Sequence, residues 1–146
     1  YHYYILDSEC KVKMDCAGYD SVQYLGYGIY RAHKINDSNV YDIIDRDNKV
    51  ILSGYNESIH VDENGFLLYA IGTDDPEIFI YDFEGNIQGY RQFEGYSATG
   101  PMVIDVPEAY FVNGNIYIGN LKNNKTNKYT EIYMSLRGEI IKEEEK

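Results

Sequence analysis

A six-residue turn pattern recurs four times along the chain and constrains its fold more than any other feature. Each copy begins with Asp or Ser, ends with Val or Ile, and follows a short apolar stretch. Its fourth position is Asn in one copy and Gly in two, residues that tolerate the positive φ of a tight hairpin turn. The copies are residues 7–12, 45–50, 82–87 and 135–140. A repeated turn of this kind predicts an antiparallel β fold.

A second anchor recurs in the same order inside the first three units. In each, a tyrosine is followed by a glycine that opens an apolar stretch. The pairs are Tyr19 with Gly28, Tyr55 with Gly65, and Tyr96 with Gly114. Two anchors recurring in order indicate tandem repeats rather than scattered turns. We predict a single domain over residues 1–146, with repeats at approximately 3–36, 40–72 and 77–121 and a half repeat at 129–142.

The predicted fold class is all-β, built from tandem four-stranded antiparallel units, about three and a half in number. Such units either form the blades of a β-propeller or stack as a repeat array. Because closed propellers usually have four or more blades, the count favours an irregular small barrel or array, or one part of a larger assembly or oligomer.

Local signals place the turns and loops between the predicted strands. Tight hairpins are predicted at residues 26–28 and at Asn113-Gly114, since glycine and asparagine supply the positive φ that such turns require. Loops are predicted at residues 36–39, over an insertion at 89–101, and at 121–127.

The chain is acidic, with a net charge of −11. Phosphate contact depends on Lys and Arg, so this charge argues against nucleic-acid binding. It would instead complement a basic protein partner. No apolar run approaches the roughly 18 residues that a membrane-spanning helix needs, so no membrane span is predicted.

The two cysteines are Cys10, in the first turn, and Cys16, after the following strand. An extended segment between them would hold them roughly 20 Å apart, whereas a disulfide needs Cα atoms about 5.5 Å apart. We therefore predict free thiols, which leaves the redox compartment open.

The second unit resembles the WG (KWG) repeat of bacterial proteins. The resemblance is carried by Ile43-Ile44-Asp45, the turn through Val50, Tyr55 and Gly65-Phe66-Leu67; Tyr41-Asp42 stands where that family has its Trp-Gly dipeptide. The third unit is also similar to NHL and other six-bladed propeller blades, through residues 80–87 and 113–118. These resemblances imply a binding or scaffold role and supply no catalytic residue.

The residues that could carry chemistry form no recognisable constellation. His2, His33 and His60 lack metal-ligand spacing, and neither cysteine has a local nucleophile signature. The acidic segments at residues 45–47 and 74–77 are predicted to be solvated turns rather than Ca²⁺ sites. No catalytic residue, metal site or cofactor is predicted, and we expect the chain not to be an enzyme.

Tyrosine is the most unusual component, with 17 residues. Tyrosine favours strands, and it also supplies interface area at small entropic cost, so both explanations stand. The candidate binding residues are Tyr27, Tyr30, Tyr90 and Tyr96, and residues 95–100 are the expected place for a site because they depart from the repeat.

Two functional hypotheses follow from these features. The first is a non-enzymatic interaction module that binds a protein partner, basic by charge complementarity, through an aromatic and acidic surface. The second is a carbohydrate-binding or carbohydrate-active domain. The chain begins with Tyr1 rather than Met, which fits a processed exported protein or a trimmed piece equally well. The compartment is left open, with a lean towards a bacterial envelope or secreted protein.

Overall fold

The computed structural model describes residues 4–6, 12–15, 18–55, 57–70, 74–98 and 109–145. Within those ranges the regular secondary structure consists of β-strands alone, and every strand pair is antiparallel. This confirms the predicted all-β fold. The same ranges contain no helix of the length and hydrophobicity needed to cross a membrane. The chain divides into two compact units, Tyr1–Asn56 and Glu57–Lys146. The prediction that they form one domain stays a prediction.

Unit 1 contains a hairpin and a four-stranded sheet. The hairpin, sheet I, pairs β1 (Tyr4–Leu6) with β2 (Val12–Asp15). Sheet II holds β3 (Tyr19–Gly26), β4 (Ile29–Lys34), β5 (Asp37–Asp45) and β6 (Val50–Tyr55), arranged in chain order. Cys10 and Cys16 lie outside the described residues, so the prediction of free thiols is not tested.

Unit 2 contains a four-stranded and a five-stranded sheet. Sheet III is arranged in the order β10 (Ile87–Gln92), β9 (Glu77–Tyr81), β8 (Gly65–Ala70) and β7 (Glu57–Asp62). Sheet IV is formed by β11 (Tyr96–Ala98), β12 (Ala109–Val112), β13 (Asn115–Asn123), β14 (Tyr129–Met134) and β15 (Ile140–Glu145). The long β13 pairs with β12 through its first half, with β11 through its second half, and with β14 along its other edge.

The recurring turn pattern has one structural cause in the three copies that are described. The side-chain oxygen of its first residue accepts hydrogen bonds from the backbone N–H groups two and four positions later, at Asp45, Asp82 and Ser135 alike. The fourth residue has positive φ: 62° at Asn48, 88° at Gly85 and 90° at Gly138. Each turn joins the last two strands of its sheet. Each four- or five-stranded sheet therefore begins two strands after the start of a predicted sequence repeat and ends with the first two strands of the next repeat.

The core of unit 2 follows from the period-two alternation of its strands. Sheet III contributes Leu67, Tyr69, Ile78 and Ile80, and sheet IV contributes the buried residues of β13 and β14. Those residues are Ile116, Ile118, Leu121, Ile132 and Met134. Burial of each such side chain stabilises the fold by about 1.5–3 kcal/mol.

The two predicted hairpin turns are confirmed, because Tyr27, Gly28, Asn113 and Gly114 all have positive φ.

The predicted loops are too long. The loop at 36–39 is wrong beyond Asn36, because the positive φ of Asn36 closes a short turn and β5 begins at Asp37. The insertion at 89–101 is wrong over its first part, where β10 runs to Gln92, and again over β11, which pairs with β13. The loop at 121–127 is wrong up to Asn123, because β13 continues that far.

A close backbone approach joins sheets III and IV. A Cβ on Gly89 of β10 would lie 2.2 Å from the carbonyl oxygen of Leu136, and a Cβ on Gly138 would lie 2.3 Å from that of Tyr90. Arg91 Nε also donates to the carbonyl oxygen of Gly138 at 2.5 Å. The turn between β14 and β15 therefore packs directly on the backbone of β10.

His60 connects β7 to β12. Its Nδ1 accepts a hydrogen bond from the backbone N–H of Phe111 at 3.1 Å, and its ring lies against the rings of Tyr110 and Phe111. Desolvation lowers the pKa of His60 below its usual 6.5, opposed by the charge of Asp62. An imidazole nitrogen that accepts must be unprotonated, so this contact requires neutral His60.

Acidification is therefore expected to weaken the attachment of β12. Because folded His60 has the lower pKa, its contribution to stability is complete above pH 6.5 and is lost as the pH falls through the lowered value. Amide hydrogen exchange at Phe111, corrected for the intrinsic pH dependence of exchange, should accelerate relative to Ile116. The variant His60→Phe, which cannot titrate, should show no such pH effect. Constant protection of Phe111 while His60 titrates would contradict the prediction.

Candidate functional site

An acidic pocket of about 430 Å³ lies in unit 2, on the face of sheet III that carries Leu68 and Phe79. Four of its lining residues carry carboxylates and two are large apolar side chains. The full lining is Glu57, Leu68, Asp74, Asp75, Pro76, Glu77, Phe79 and Gln92. None of the described residues that line it is a lysine or an arginine. The pocket thus combines a negative rim with an apolar wall, a composition suited to a cation with an aliphatic stem.

Strand register builds the apolar wall. Phe79 on β9 lies opposite Leu68 on β8 and opposite Tyr90 on β10. Directly opposed residues of antiparallel strands share a face of the sheet, so the three side chains form a row. The rings of Phe79 and Tyr90 lie with centroids 4.9 Å apart. Tyr90 is 44% exposed, which leaves its ring accessible beside the pocket.

Carboxylates surround this row. Glu77 lies at the start of β9. Desolvation, followed by the charge of Glu77, raises the pKa of Tyr90. Desolvation and the charge of Glu57 raise the pKa of Tyr81 one row further along the strand. Both phenols therefore stay protonated at neutral pH and act as hydrogen-bond donors and aromatic surfaces, not as bases.

A second pocket, the tyrosine pocket, has a volume of about 550 Å³. It is lined by Glu94, Gly95, Tyr96, Asn123, Asn124 and Lys125. The Tyr96 hydroxyl donates to Glu143 Oε1 at 2.7 Å. That hydrogen bond, followed by desolvation and the charge of Glu143, raises the pKa of Tyr96 to about 12. The pocket presents an aromatic ring among amide, carboxylate and ammonium groups.

Residues 74–75 join the two pockets. Asp75 N–H donates to the Tyr96 carbonyl oxygen at 2.8 Å, and Gly95 N–H donates to Asp75 Oδ1 at 2.8 Å. The hydroxyl of Ser97, which is buried, donates to Asp74 Oδ1 at 2.6 Å. The acidic pocket and the tyrosine pocket are therefore neighbours around one hydrogen-bonded segment, whose geometry fixes the two aspartates.

Of the four predicted binding tyrosines, one lines a pocket and one contacts a residue that lines a pocket. Tyr96 lines the tyrosine pocket and lies within the segment expected to hold a site. Tyr90 packs on Phe79, which lines the acidic pocket. Tyr27 and Tyr30 belong to the β3–β4 hairpin of unit 1. There Tyr30 lies 4.9 Å from Tyr24 between ring centroids, and Tyr27 is 54% exposed. Binding by any of these residues stays a prediction.

The sequence alone does not predict that these acidic residues line one pocket. The composition of residues 74–77 indicates only a solvated turn, and nothing in the sequence distinguishes Glu57 from the other glutamates. The acidic run directly before β9 is the available signal, but only strand register places it beside Phe79 and Leu68.

The described part of the chain offers no metal site, since no group of three or more His, Cys, Asp or Glu residues is arranged to hold an ion. The two pockets present charged groups, hydrogen-bonding groups and aromatic rings. The chain matches no protein-family model, and no curated protein matches its sequence.

Proposed function

We propose that this chain is a protein-binding module that recognises a lysine or arginine side chain of a partner at the acidic pocket. The observation that carries the proposal is the lining of that pocket, four carboxylates around the Leu68–Phe79 wall without a compensating cation among the lining residues. A lysine stem would pack on the apolar wall while its ammonium group met the carboxylates.

Aromatic contact adds to the charge. The exposed ring of Tyr90 beside Phe79 offers its face to a guanidinium or ammonium group, which the negative face of an aromatic ring attracts. The net charge of −11 favours the approach of a basic partner over a longer range. The resemblances to WG repeats and propeller blades favour the same class of function.

The test is a titration of isotope-labelled protein followed by NMR. The probes are the blocked amino acids N-acetyl-lysine N-methylamide and N-acetyl-arginine N-methylamide, with the uncharged norleucine analogue as control. We expect saturable shifts at Glu77, Phe79 and Gln92 with the two cations, weakened by salt. Equal shifts with norleucine, or none at these residues, would refute the proposal.

A matched pair of variants tests the placement. Glu77→Gln should weaken binding about threefold to tenfold, because it removes one carboxylate of a charge-assisted contact. Glu84→Gln makes the same charge change in the exposed β9–β10 turn and should leave the affinity within about twofold, as expected for a remote screened charge. If both variants weakened binding equally, the effect would come from the net charge of the chain, and the placement at the acidic pocket would be refuted.

Carbohydrate binding is a second candidate, favoured by the tyrosine pocket. Its partly exposed Tyr96 ring stands beside the amides of Asn123 and Asn124, groups that can hydrogen-bond sugar hydroxyls. The same NMR experiment with a neutral glucose hexasaccharide separates the two functions. Saturable shifts confined to Tyr96, Asn123 and Asn124 would support glycan recognition.

A further inference from the structure

The outer strand of sheet IV, β15, has an open edge. In the sheet order β11-β13-β14-β15 it is last, and within the described ranges it is paired only with β14. An edge strand leaves alternate backbone N–H and C=O groups directed away from the sheet. Six residues give β15 a length of about 20 Å, enough to pair with an extended peptide segment.

The equivalent strand of sheet III is treated differently. β10 also follows the recurring turn pattern and is also the last strand of its sheet. The turn between β14 and β15 packs on its backbone at Gly89 and Tyr90. On β15 all six residues are exposed, including Ile140 and Ile141, the latter at 57%. Two adjacent exposed isoleucines, on an edge that pairs with no further strand in the described ranges, mark an interaction surface.

The side chains of β15 define the partner. Glu143 lies opposite Ile132 and Glu145 opposite Thr130, and beyond a β-bulge Ile140 lies opposite Met134. All three partners on β14 are buried, so Glu143, Glu145 and Ile140 share the core-side face of the strand. On the other face Lys142 pairs with Glu144, Nζ to Oε1 at 2.7 Å. The core-side face therefore carries the unbalanced negative charge.

We propose that β15 binds an extended basic segment of a partner protein, which adds to sheet IV as an antiparallel strand. Antiparallel addition continues the pairing of the sheet and is the more stable arrangement per residue. The segment carries Lys or Arg at two alternate positions opposite Glu145 and Glu143, then an apolar residue opposite the β-bulge that contains Ile140 and Ile141. This surface is distinct from the acidic pocket, so the inference does not rest on cation binding there.

The test uses a blocked peptide with the sequence Thr-Lys-Thr-Lys-Thr-Val-Thr and the labelled full chain. Edge pairing predicts that amide hydrogen exchange slows at alternate residues of β15 on addition of peptide, at peptide concentrations up to the millimolar range expected for one short strand. A peptide with both lysines replaced by glutamate should not protect β15. A peptide with proline in place of the threonine between the two lysines should bind more weakly, because proline cannot donate to the strand.

Two charge-reversal variants complete the test. Glu145→Lys should weaken binding of the lysine peptide about fivefold or more, because an attractive cross-strand pair becomes repulsive. Glu84→Lys carries the same change of charge in a remote turn and should have an effect of less than about twofold at physiological salt. The pocket variant Glu77→Gln should leave protection of β15 unchanged, so failure here and failure of the proposed function can be told apart.

Three results would overturn the inference. Protection elsewhere than in β15 would place the peptide on another surface, and equal binding of the glutamate peptide would remove the charge argument. Protection of β15 that rises with protein concentration in the absence of peptide would make a second copy of the chain the occupant.

Discussion

Replacing Gly138 with alanine is expected to lower the free energy of unfolding of unit 2 by about 3 kcal/mol or more. Gly138 has a φ of 90°, and an alanine there costs about 1–2 kcal/mol in backbone strain. The added Cβ would also lie 2.3 Å from the carbonyl oxygen of Tyr90. Because backbone atoms of β10 cannot rotate away as a side chain would, the turn and the strand must separate.

Gly114→Ala is the matched control for this substitution. Gly114 has a φ of 77°, and no heavy atom beyond its chain neighbours lies within 4 Å of the position that a Cβ would take, so the variant carries the backbone strain without the clash. Urea denaturation of both variants should show Gly138→Ala less stable than Gly114→Ala by about 2 kcal/mol. A difference below about 0.5 kcal/mol, within ordinary additivity error, would mean that the turn does not pack on β10 as described.

A second comparison checks the same contact from the opposite side. Gly89 has no positive φ, so Gly89→Ala carries no backbone strain, yet its Cβ would lie 2.2 Å from the carbonyl oxygen of Leu136. It should also reduce the free energy of unfolding, by about 1–3 kcal/mol. A lower free energy of unfolding in both glycine variants would show that the contact between sheets III and IV causes the loss. Arg91, which donates to the carbonyl oxygen of Gly138, belongs to the same contact.

The strands and the tight turns could be predicted because their causes are local. The side-chain oxygen of Asp45, Asp82 or Ser135 organises its own turn, and positive φ selects Asn or Gly at the fourth position. Both effects leave a signature in adjacent residues, so a repeating pattern is sufficient. The same reasoning locates the hairpin at Asn113-Gly114.

The grouping of strands into sheets depends on contacts that leave no local signature. β11 pairs with the second half of β13, although β12 lies between the two strands in the chain. The glycines at 89 and 138 look like ordinary strand and turn glycines, and only the packing of two sheets gives them a shared role. Long-range pairing of this kind is decided by tertiary packing, which overrides local propensity.

The candidate site could be predicted only in part, for the same reason. Tyrosine content and the departure of residues 95–100 from the repeat direct attention to Tyr96, which lines a pocket. The acidic pocket could not be assembled from sequence, because Glu57, Asp75 and Glu77 become neighbours only when β7, β9 and the segment between β8 and β9 meet.

Asp42 in sheet II breaks the repeat in a way that affects stability. It lies three residues before Asp45, the first residue of the recurring turn. The equivalent residue is Phe79 in sheet III and Ile132 in sheet IV. Its side chain is only 7% exposed. The Tyr19 hydroxyl donates to Asp42 Oδ2 at 2.5 Å, and the Ser53 hydroxyl donates to Oδ1. Lys34 Nζ lies 3.8 Å from Oδ1, with its side chain 47% exposed.

Asp42→Ala is expected to lower the free energy of unfolding of unit 1 by about 2–4 kcal/mol. The substitution removes a charged acceptor from two hydroxyls and leaves a cavity in a sheet face. Lys34 adds little to this loss, because its exposed ammonium group can return to water. The single variants Tyr19→Phe and Lys34→Met should therefore cost about 1–2 kcal/mol and less than about 1 kcal/mol, respectively.

A double-mutant cycle decides whether the carboxylate acts through Tyr19. If it does, the double variant Asp42→Ala/Tyr19→Phe should be more stable than the sum of the two single losses predicts, by about 1 kcal/mol or more, because the hydrogen bond is counted twice in that sum. The measurement is urea unfolding followed by amide exchange within β3–β6, since two compact units need not unfold together. Strict additivity would show that Asp42 stabilises sheet II through Ser53 and packing instead. Asp42 thus acts as a hydrogen-bond acceptor at a position where the other sheets have an apolar residue. Replacing it with phenylalanine, as in sheet III, would leave the hydroxyls of Tyr19 and Ser53 without this acceptor.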